Sequence, residues 1–239
     1  MSDGMRFYSA GPLSIIALVL LIGLVILVIP LVFLGFVGKA FTQLGFTWYE
    51  ALAIVLLMLF GSFVDIPLYT IRRDMIRAVP GEFSDGSAAH PWAPEPVWDT
   101  VISLNLGGAV IPVLVSAYLL YSAMTKLETA ILGPVCAGIM IVAIIAYIAT
   151  RLVPGYGIRA PLFMPGLAAV LCGLLLTGGN TGLIAGVTAF VAGTAGTLLG
   201  AGIAWLPRVK DLEMPRVSIG GAGMFGAIFL ACVLSAMIA

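Results

Sequence analysis

Charged side chains are scarce in this sequence. They make up 9% of its 239 residues, and the 11 lysines and arginines balance the 11 aspartates and glutamates. A soluble domain carries roughly a quarter charged residues, so the composition excludes an ordinary soluble globular domain. It also excludes nucleic acid as a partner, because phosphate binding needs clustered cations and the longest basic run is Arg72-Arg73.

Cysteine and histidine are also few. The three cysteines, Cys136, Cys172 and Cys232, lie in apolar runs, where a thiol behaves as a small hydrophobic group, and the single histidine is His90. This spacing provides neither a disulfide framework nor a set of metal ligands. A Ser-His pair for hydrolysis is missing too. We therefore expect no metal and no cofactor, and we do not expect an enzyme.

Long apolar runs dominate the sequence, which is 62% hydrophobic. A helix needs about 20 apolar residues to cross a bilayer, because its backbone amides must be bonded within the segment. The sequence therefore predicts an all-α bundle of about seven transmembrane helices, built by one domain over residues 1–239 with the lipid bilayer as its partner. The fifth segment is the shortest and begins among prolines, which leaves six spans as the alternative. The segments are 12–38, 48–71, 100–124, 130–150, 160–178, 182–206 and 217–238.

The distribution of cations predicts the orientation of the bundle. Short loops rich in lysine and arginine stay in the cytoplasm. If the N-terminus is cytoplasmic, nine of the 11 cations lie inside and only Lys39 and Lys126 lie outside. We therefore expect a cytoplasmic N-terminus and an external C-terminus. The longest loop, residues 72–99 between helices 2 and 3, contains four prolines and is expected to be a cytoplasmic lid or linker.

One acidic residue falls inside a predicted span. Asp65 lies about six residues from the cytoplasmic end of the second span, or roughly 9 Å deep. Asn105 reaches a similar depth in the third span. Pro67 and Pro112 lack the N–H groups that the carbonyls of Phe63 and Gly108 would need in a helix. These four residues, Asp65, Asn105, Phe63 and Gly108, could bind a cation, a proton or a water; the alternative is that Asp65 and Asn105 only join two helices.

Small residues form a ridge along the sixth span, with steps of four and three residues. Such a ridge lets helices in lipid approach closely. The seventh span begins with a similar cluster, so we expect the two helices to pack ridge to ridge, with a cavity lining as the alternative. The glycines predicted to act in packing are Gly182, Gly186, Gly193, Gly196, Gly200, Gly220 and Gly223.

Several of these segments, taken in order, resemble a prokaryotic multi-pass membrane family of unknown function, number sixteen-fourteen. The segments are 61–67, 105–112, 154–158, 196–202 and 218–225. The resemblance implies the fold and a prokaryotic plasma membrane, but no activity. It also implies acids in the sixth and seventh spans, where this chain has Gly202 and Gly226. Facing acids there would be similar to those of diaspartyl intramembrane proteases.

Three functions remain open from the sequence. The first is a permease for a small solute or an ion, or its membrane subunit, with a site around Asp65 and Asn105 in the inner leaflet. The second is a scaffold whose glycine ridges bind another membrane protein or a second copy of the chain. The third is a degenerate relative of the diaspartyl proteases, because the paired acids are missing.

Overall fold

A computed structural model gives the fold and describes residues 12–71, 99–126, 131–153, 157–209 and 216–239. Over these ranges the chain is mostly helical, with short strands between the helices. The helices are α1 (Pro12–Gln43), α2 (Trp48–Gly61), α3 (Ile111–Lys126), α4 (Leu132–Ala149), α5 (Met164–Leu176), α6 (Leu183–Thr197), α7 (Leu206–Val209) and α8 (Phe225–Met237). The strands are β1 (Asp65–Ile71), β2 (Thr100–Asn105), β3 (Arg151–Val153), β4 (Gly157–Arg159) and β5 (Arg216–Ile219).

Helix α2 is shorter than the second predicted span. It begins at a capping box, in which the backbone N–H of Thr47 donates to Glu50 Oε2 at 2.8 Å and the backbone N–H of Glu50 donates to Thr47 Oγ1 at 3.5 Å. It ends at Gly61, and residues 65–71 form β1. The prediction of one helix over 48–71 was wrong. Pro67 disfavours a helix at this point, and the backbone N–H and C=O groups of the segment can instead be paired with a neighbouring strand.

Strands from three distant parts of the chain form one sheet, in the order β1-β2-β5. Strand β1 pairs antiparallel with β2, and β2 pairs parallel with β5. The third and seventh predicted spans therefore begin as strands, at Thr100 and Arg216, and become helical only further along. The prediction of an all-α fold is corrected to a helical bundle with a small sheet at one end.

The segment between α4 and α5 is a β-hairpin. Strands β3 and β4 pair antiparallel, with Arg151 opposite Arg159. The described residues on either side of 154–156 are therefore extended and not helical, and residues 154–156 lie outside the described part of the chain. The backbone N–H of Ala160 donates to the carbonyl of Gly223 at 2.9 Å, so the hairpin lies at the same end of the bundle as the sheet.

Helix α6 is the centre of the bundle. It packs against α3, α4, α5 and α8, and most of its side chains are buried. Its start meets the end of α8, where the backbone N–H of Gly182 donates to the carbonyl of Ile238 at 2.8 Å. Phe190 contacts Phe41 of α1 edge to face, with ring centroids 5.9 Å apart. At the sheet end α6 continues as a π-helical turn, Leu198–Gly202, and then as a 3-10 turn, Ile203–Trp205.

Within the described ranges, four apolar helical stretches are long enough to cross a membrane: Leu18–Gln43, Leu106–Thr125, Leu132–Ala149 and Leu183–Val209. Helices α2, α5 and α8 have 14, 13 and 13 residues, or about 20 Å each. The short α5 occupies part of the fifth predicted span. These apolar helices are compatible with an integral membrane protein.

Candidate functional site

Asp65 and Asn105 lie opposite each other where the sheet meets the helices. They are register partners at the start of β1 and the end of β2. Asn105 Nδ2 donates to Asp65 Oδ1 at 2.9 Å and to the backbone carbonyl of Ser62 at 2.8 Å. The structure brings the two predicted residues together, but it does so through strand pairing and not through two facing helices.

Asn105 is held rigidly by its surroundings. It is 1% exposed, and its Oδ1 accepts a hydrogen bond from the backbone N–H of Gly108 at 2.8 Å. This bond caps the π-helical turn Leu106–Val110, which leads into α3. These hydrogen bonds fix the orientation of the Asn105 side-chain amide. Because the amide is fixed, its Nδ2 positions the carboxylate of Asp65.

Asp65 is exposed at the end of α2 and does not lie within a helix. The predicted depth of roughly 9 Å, which assumed helical geometry, is therefore wrong. Its Oδ1 also accepts a hydrogen bond from Ser218 Oγ at 2.5 Å. In the part of the chain that the structure describes, the carboxylate has hydrogen bonds from an amide and a hydroxyl but no ion pair.

Ser218 is the member of this cluster that sequence reasoning missed. It lies on β5, whose parallel pairing with β2 brings it to Asp65 across 153 residues of chain. The available signal was its position as a polar residue at the start of the glycine-rich segment. That segment was interpreted as a helix ridge, which hid the contribution of its serine.

The two predicted carbonyl ligands have different surroundings. Phe63 is 85% exposed and lies in the turn after α2, so its carbonyl is not one that Pro67 releases from a helix. That prediction was wrong because α2 ends before Phe63. Gly108 lies in the π-helical turn, where its Cα packs against the backbone carbonyl of Gly220. Its role as a ligand stays a prediction.

A glycine-rich turn, residues 219–224, packs between the two π-helical turns. Gly108 of the first touches the backbone of Gly220, and a Cβ at Gly202 of the second would lie 3.0 Å from Ile219 Cγ2. Gly220 has φ +78°, a conformation in which a Cβ is strained. Both π-helical turns thus lie at the level of the polar cluster, and such turns occur often at functional sites.

The glycines of α6 make contacts with several helices. A Cβ at Gly193 would lie 3.0 Å from the Cβ of Ala169 on α5 and 3.1 Å from that of Ala231 on α8. Gly186 lies against Ala239, whereas Gly196 and Gly200 face Val142 and Ala143 of α4. The expected packing of the α6 ridge against a ridge on the seventh span is therefore only partly seen. Helix α6 is surrounded, and its small residues contact α4 and α5 as well as α8.

Three of the predicted packing glycines lie outside the helices themselves. Gly182 precedes α6, and no described atom lies within 4 Å of an added Cβ there. Gly220 and Gly223 precede α8, with φ +78° and +94°. Their prediction as members of packed helices was wrong for the last two because the seventh span begins as a strand and a turn, although Gly220 does contact the π-helical turn at Gly108. A Cβ at Gly223 would meet the backbone carbonyl of Ile158, so this glycine seats the hairpin.

The positions expected to carry acids in related sequences have apolar surroundings here. A Cβ at Gly202 would meet Ile219, and a Cβ at Gly226 would meet Leu162 at 2.9 Å.

Among the described residues there is no group of three or more His, Cys, Asp and Glu side chains that could hold a metal ion. The loop at 72–99, apart from Asp99, lies outside the described residues, and so does His90.

Comparison with known families identifies the chain. A family model described as "Protein of unknown function (DUF1614)" matches residues 59–238, so the chain belongs to that family. The match includes the polar cluster, the sheet and α6, whereas α1 lies outside it. No match is found among curated proteins or among solved structures.

Proposed function

We propose that the protein crosses a prokaryotic plasma membrane seven times, with α1 to α6 and α8 as the spans and the sheet in the inner leaflet. The three short helices support this arrangement, because α2 continues into β1, α5 follows β4 and α8 follows β5. Each short helix is therefore lengthened by strand residues at the sheet end. A strand residue adds about 3.3 Å to the length of a span, compared with about 1.5 Å for a helical residue.

Charge supports a cytoplasmic position for the sheet and hence for the N-terminus. Arg151, Arg159 and Arg216 lie on strands at that end. Lys126 is the last residue of α3 and Lys39 lies four residues before the end of α1, so both are at the opposite ends of the helices. This separation agrees with cytoplasmic retention of cations. The C-terminus, at the far end of α8, is then external.

Within this arrangement the protein is a permease for a proton or a small cation, with Asp65 as the charged group at the inner entrance. The observation that carries this proposal is an exposed carboxylate whose described hydrogen-bond partners are all neutral. Asn105 and Ser218 orient it without cancelling its charge. An orienting shell of neutral donors leaves the negative charge available to an incoming cation.

The backbone around Asp65 supports the same function. Transporter sites lie where helices are interrupted, because irregular backbone in a membrane persists only when it is buried in protein or lines water. Here one π-helical turn leads into α3 and another continues α6, and the turn at 219–224 lies between them. Two helices that change pitch beside one charged residue provide an element that can rearrange as the cation passes.

Flux through proteoliposomes tests this proposal. We expect the purified protein to conduct protons or an alkali cation down a gradient, and we expect Asp65→Asn to abolish that flux while thermal unfolding stays unchanged. Asp99→Asn is the matched control, because Asp99 is an exposed acid at the same end of the bundle. Flux that is equal in wild type and Asp65→Asn contradicts the site, and absence of flux in wild type contradicts the permease.

A scaffold function has one observation in its favour. In α1, none of the residues in an 18-residue apolar window is buried by the described part of the chain. A partner helix could pack there, unlike on α6, whose glycines already contact this chain. Co-purification tests it. We expect a complex that survives mild detergent and is weakened by Gly23→Leu, since no atom of the described residues lies within 4 Å of an added Cβ at that position.

A further inference from the structure

Two arginines lie side by side on the hairpin that joins α4 to α5. Arg151 and Arg159 are directly opposite each other in the pairing of β3 with β4, and both are exposed. Like charges in opposed positions destabilise a strand pair. In the described part of the chain, neither guanidinium has a carboxylate partner. The hairpin therefore presents two cations whose repulsion an anion would relieve.

A third guanidinium lies at the same end of α4. Arg208 stacks over the rings of Trp205, 4.5 Å from the centroid, and Tyr147, 5.4 Å from the centroid. Trp205 Nε1 donates to the backbone carbonyl of Tyr147 at 3.2 Å, which fixes the two rings together. Tyr147 is one helical turn before Arg151. Because the rings cover the face of the guanidinium, its N–H groups at the edge remain available to an anion.

An apolar groove runs between α4 and α5, the two helices that the hairpin joins. It has a volume of about 420 Å³ and is lined by side chains of α4 and α5, among them Ile141, Ile145, Met164 and Leu171. Met164 is the first residue of α5 and follows Arg159 by five residues, so this end of the groove is the end nearer the hairpin. The lining extends to Leu176 on α5, about 18 Å along the helix axis.

We propose that the hairpin and the groove bind one anionic phospholipid of the inner leaflet. The phosphate of the headgroup lies between Arg151 and Arg159, with Arg208 as a further donor, and one acyl chain lies in the groove between α4 and α5. A guanidinium matches phosphate with paired hydrogen bonds, and basic pockets between helices on the cytoplasmic side select anionic lipids. Free phosphate would satisfy the arginines but leave the groove empty, so the two features together specify a lipid.

Native mass spectrometry of the full chain in mild detergent tests this proposal. After addition of phosphatidylglycerol or phosphatidylcholine, we expect the wild type to retain one phosphatidylglycerol preferentially. Arg151→Gln with Arg159→Gln should lower that retention roughly tenfold or more and remove the preference. Lys39→Gln with Lys126→Gln removes the same charge at the opposite end and should leave retention unchanged. Leu171→Trp, which narrows the groove, should reduce retention of both lipids.

Each alternative gives a distinct result. Equal loss in the two charge variants means that total charge and not this site attracts the lipid, and it overturns the proposal. Competition by inorganic phosphate, with no effect of Leu171→Trp, means that the arginines bind free phosphate, and it overturns the lipid. If the Gln variants fail to fold, Arg151→Lys with Arg159→Lys is measured: it keeps the charge and should retain phosphatidylglycerol more weakly, and undiminished retention contradicts a guanidinium site.

Discussion

Helices α1 and α6 are both long and apolar, yet they have opposite environments. The stretch containing α1 has almost twice the mean hydropathy of the stretch containing α6. None of the α1 window is buried within the protein, whereas 78% of the α6 window is. The more hydrophobic helix is therefore the one that contacts less protein.

This difference follows from the solvent. In lipid, a leucine side chain gains nothing from leaving the hydrocarbon, so hydropathy does not drive a helix into the centre of a bundle. Small residues do favour the centre, because they let backbones approach and make many van der Waals contacts. Helix α6 contains Gly186, Gly193 and Gly196, all buried, whereas α1 is rich in leucine, isoleucine and valine in its exposed half. Between these two helices, burial therefore follows the content of small residues and not hydropathy.

The strongest test of this comparison replaces one glycine in each helix. Gly200 of the π-helical turn after α6 lies against α4, where an added Cβ would come 2.8 Å from Ala143 Cα. We expect Gly200→Leu to destabilise by more than about 3 kcal/mol, because backbone must move, and to lower the yield of folded protein. Gly23→Leu in α1 should leave thermal unfolding in detergent unchanged. Equal effects of the two substitutions would break the comparison.

A second test compares two positions within α1. Phe41 is fully buried against Phe190, whereas Phe36 is 53% exposed. We expect Phe41→Ala to cost about 3 to 5 kcal/mol and Phe36→Ala less than about 1 kcal/mol. The measurement is the midpoint of thermal unfolding followed by circular dichroism. A large loss at Phe36 would show that the exposed half of α1 packs against protein.

The smallest expected effects concern hydroxyl groups inside α6. The Oγ1 atom of Thr188 is buried and has no hydrogen-bond partner among the described residues, whereas Thr197 Oγ1 donates to the carbonyl of Gly193 at 2.6 Å. Thr188→Val should therefore be neutral or slightly stabilising, and Thr197→Val should cost about 0.5 to 1.5 kcal/mol. The same unfolding measurement distinguishes them. Greater loss at Thr188 would indicate a partner, such as water, for its hydroxyl.

Much of the helical content was predictable from the sequence, since apolar runs marked each of the seven longer helices. The ends of the helices were not. Residues 65–71, 100–105 and 216–219 each adjoin a long apolar run, and their pairing is a property of three segments together. Segments of four to seven residues are too short for their periodicity to distinguish a strand from the end of a helix. Two of the three side chains in the polar cluster were predicted: Asp65 and Asn105 were found, and Ser218 was not.

The amino-acid sequence by itself determined that this chain forms long apolar helices and carries a carboxylate and an amide in neighbouring segments, because composition and the lengths of apolar runs are local properties. Only the tertiary structure decided that these residues meet across paired strands, that β5 adds a serine, and that α6 occupies the centre. Strand pairing and the packing of small residues depend on partners that are remote in sequence, so no single segment contains that information.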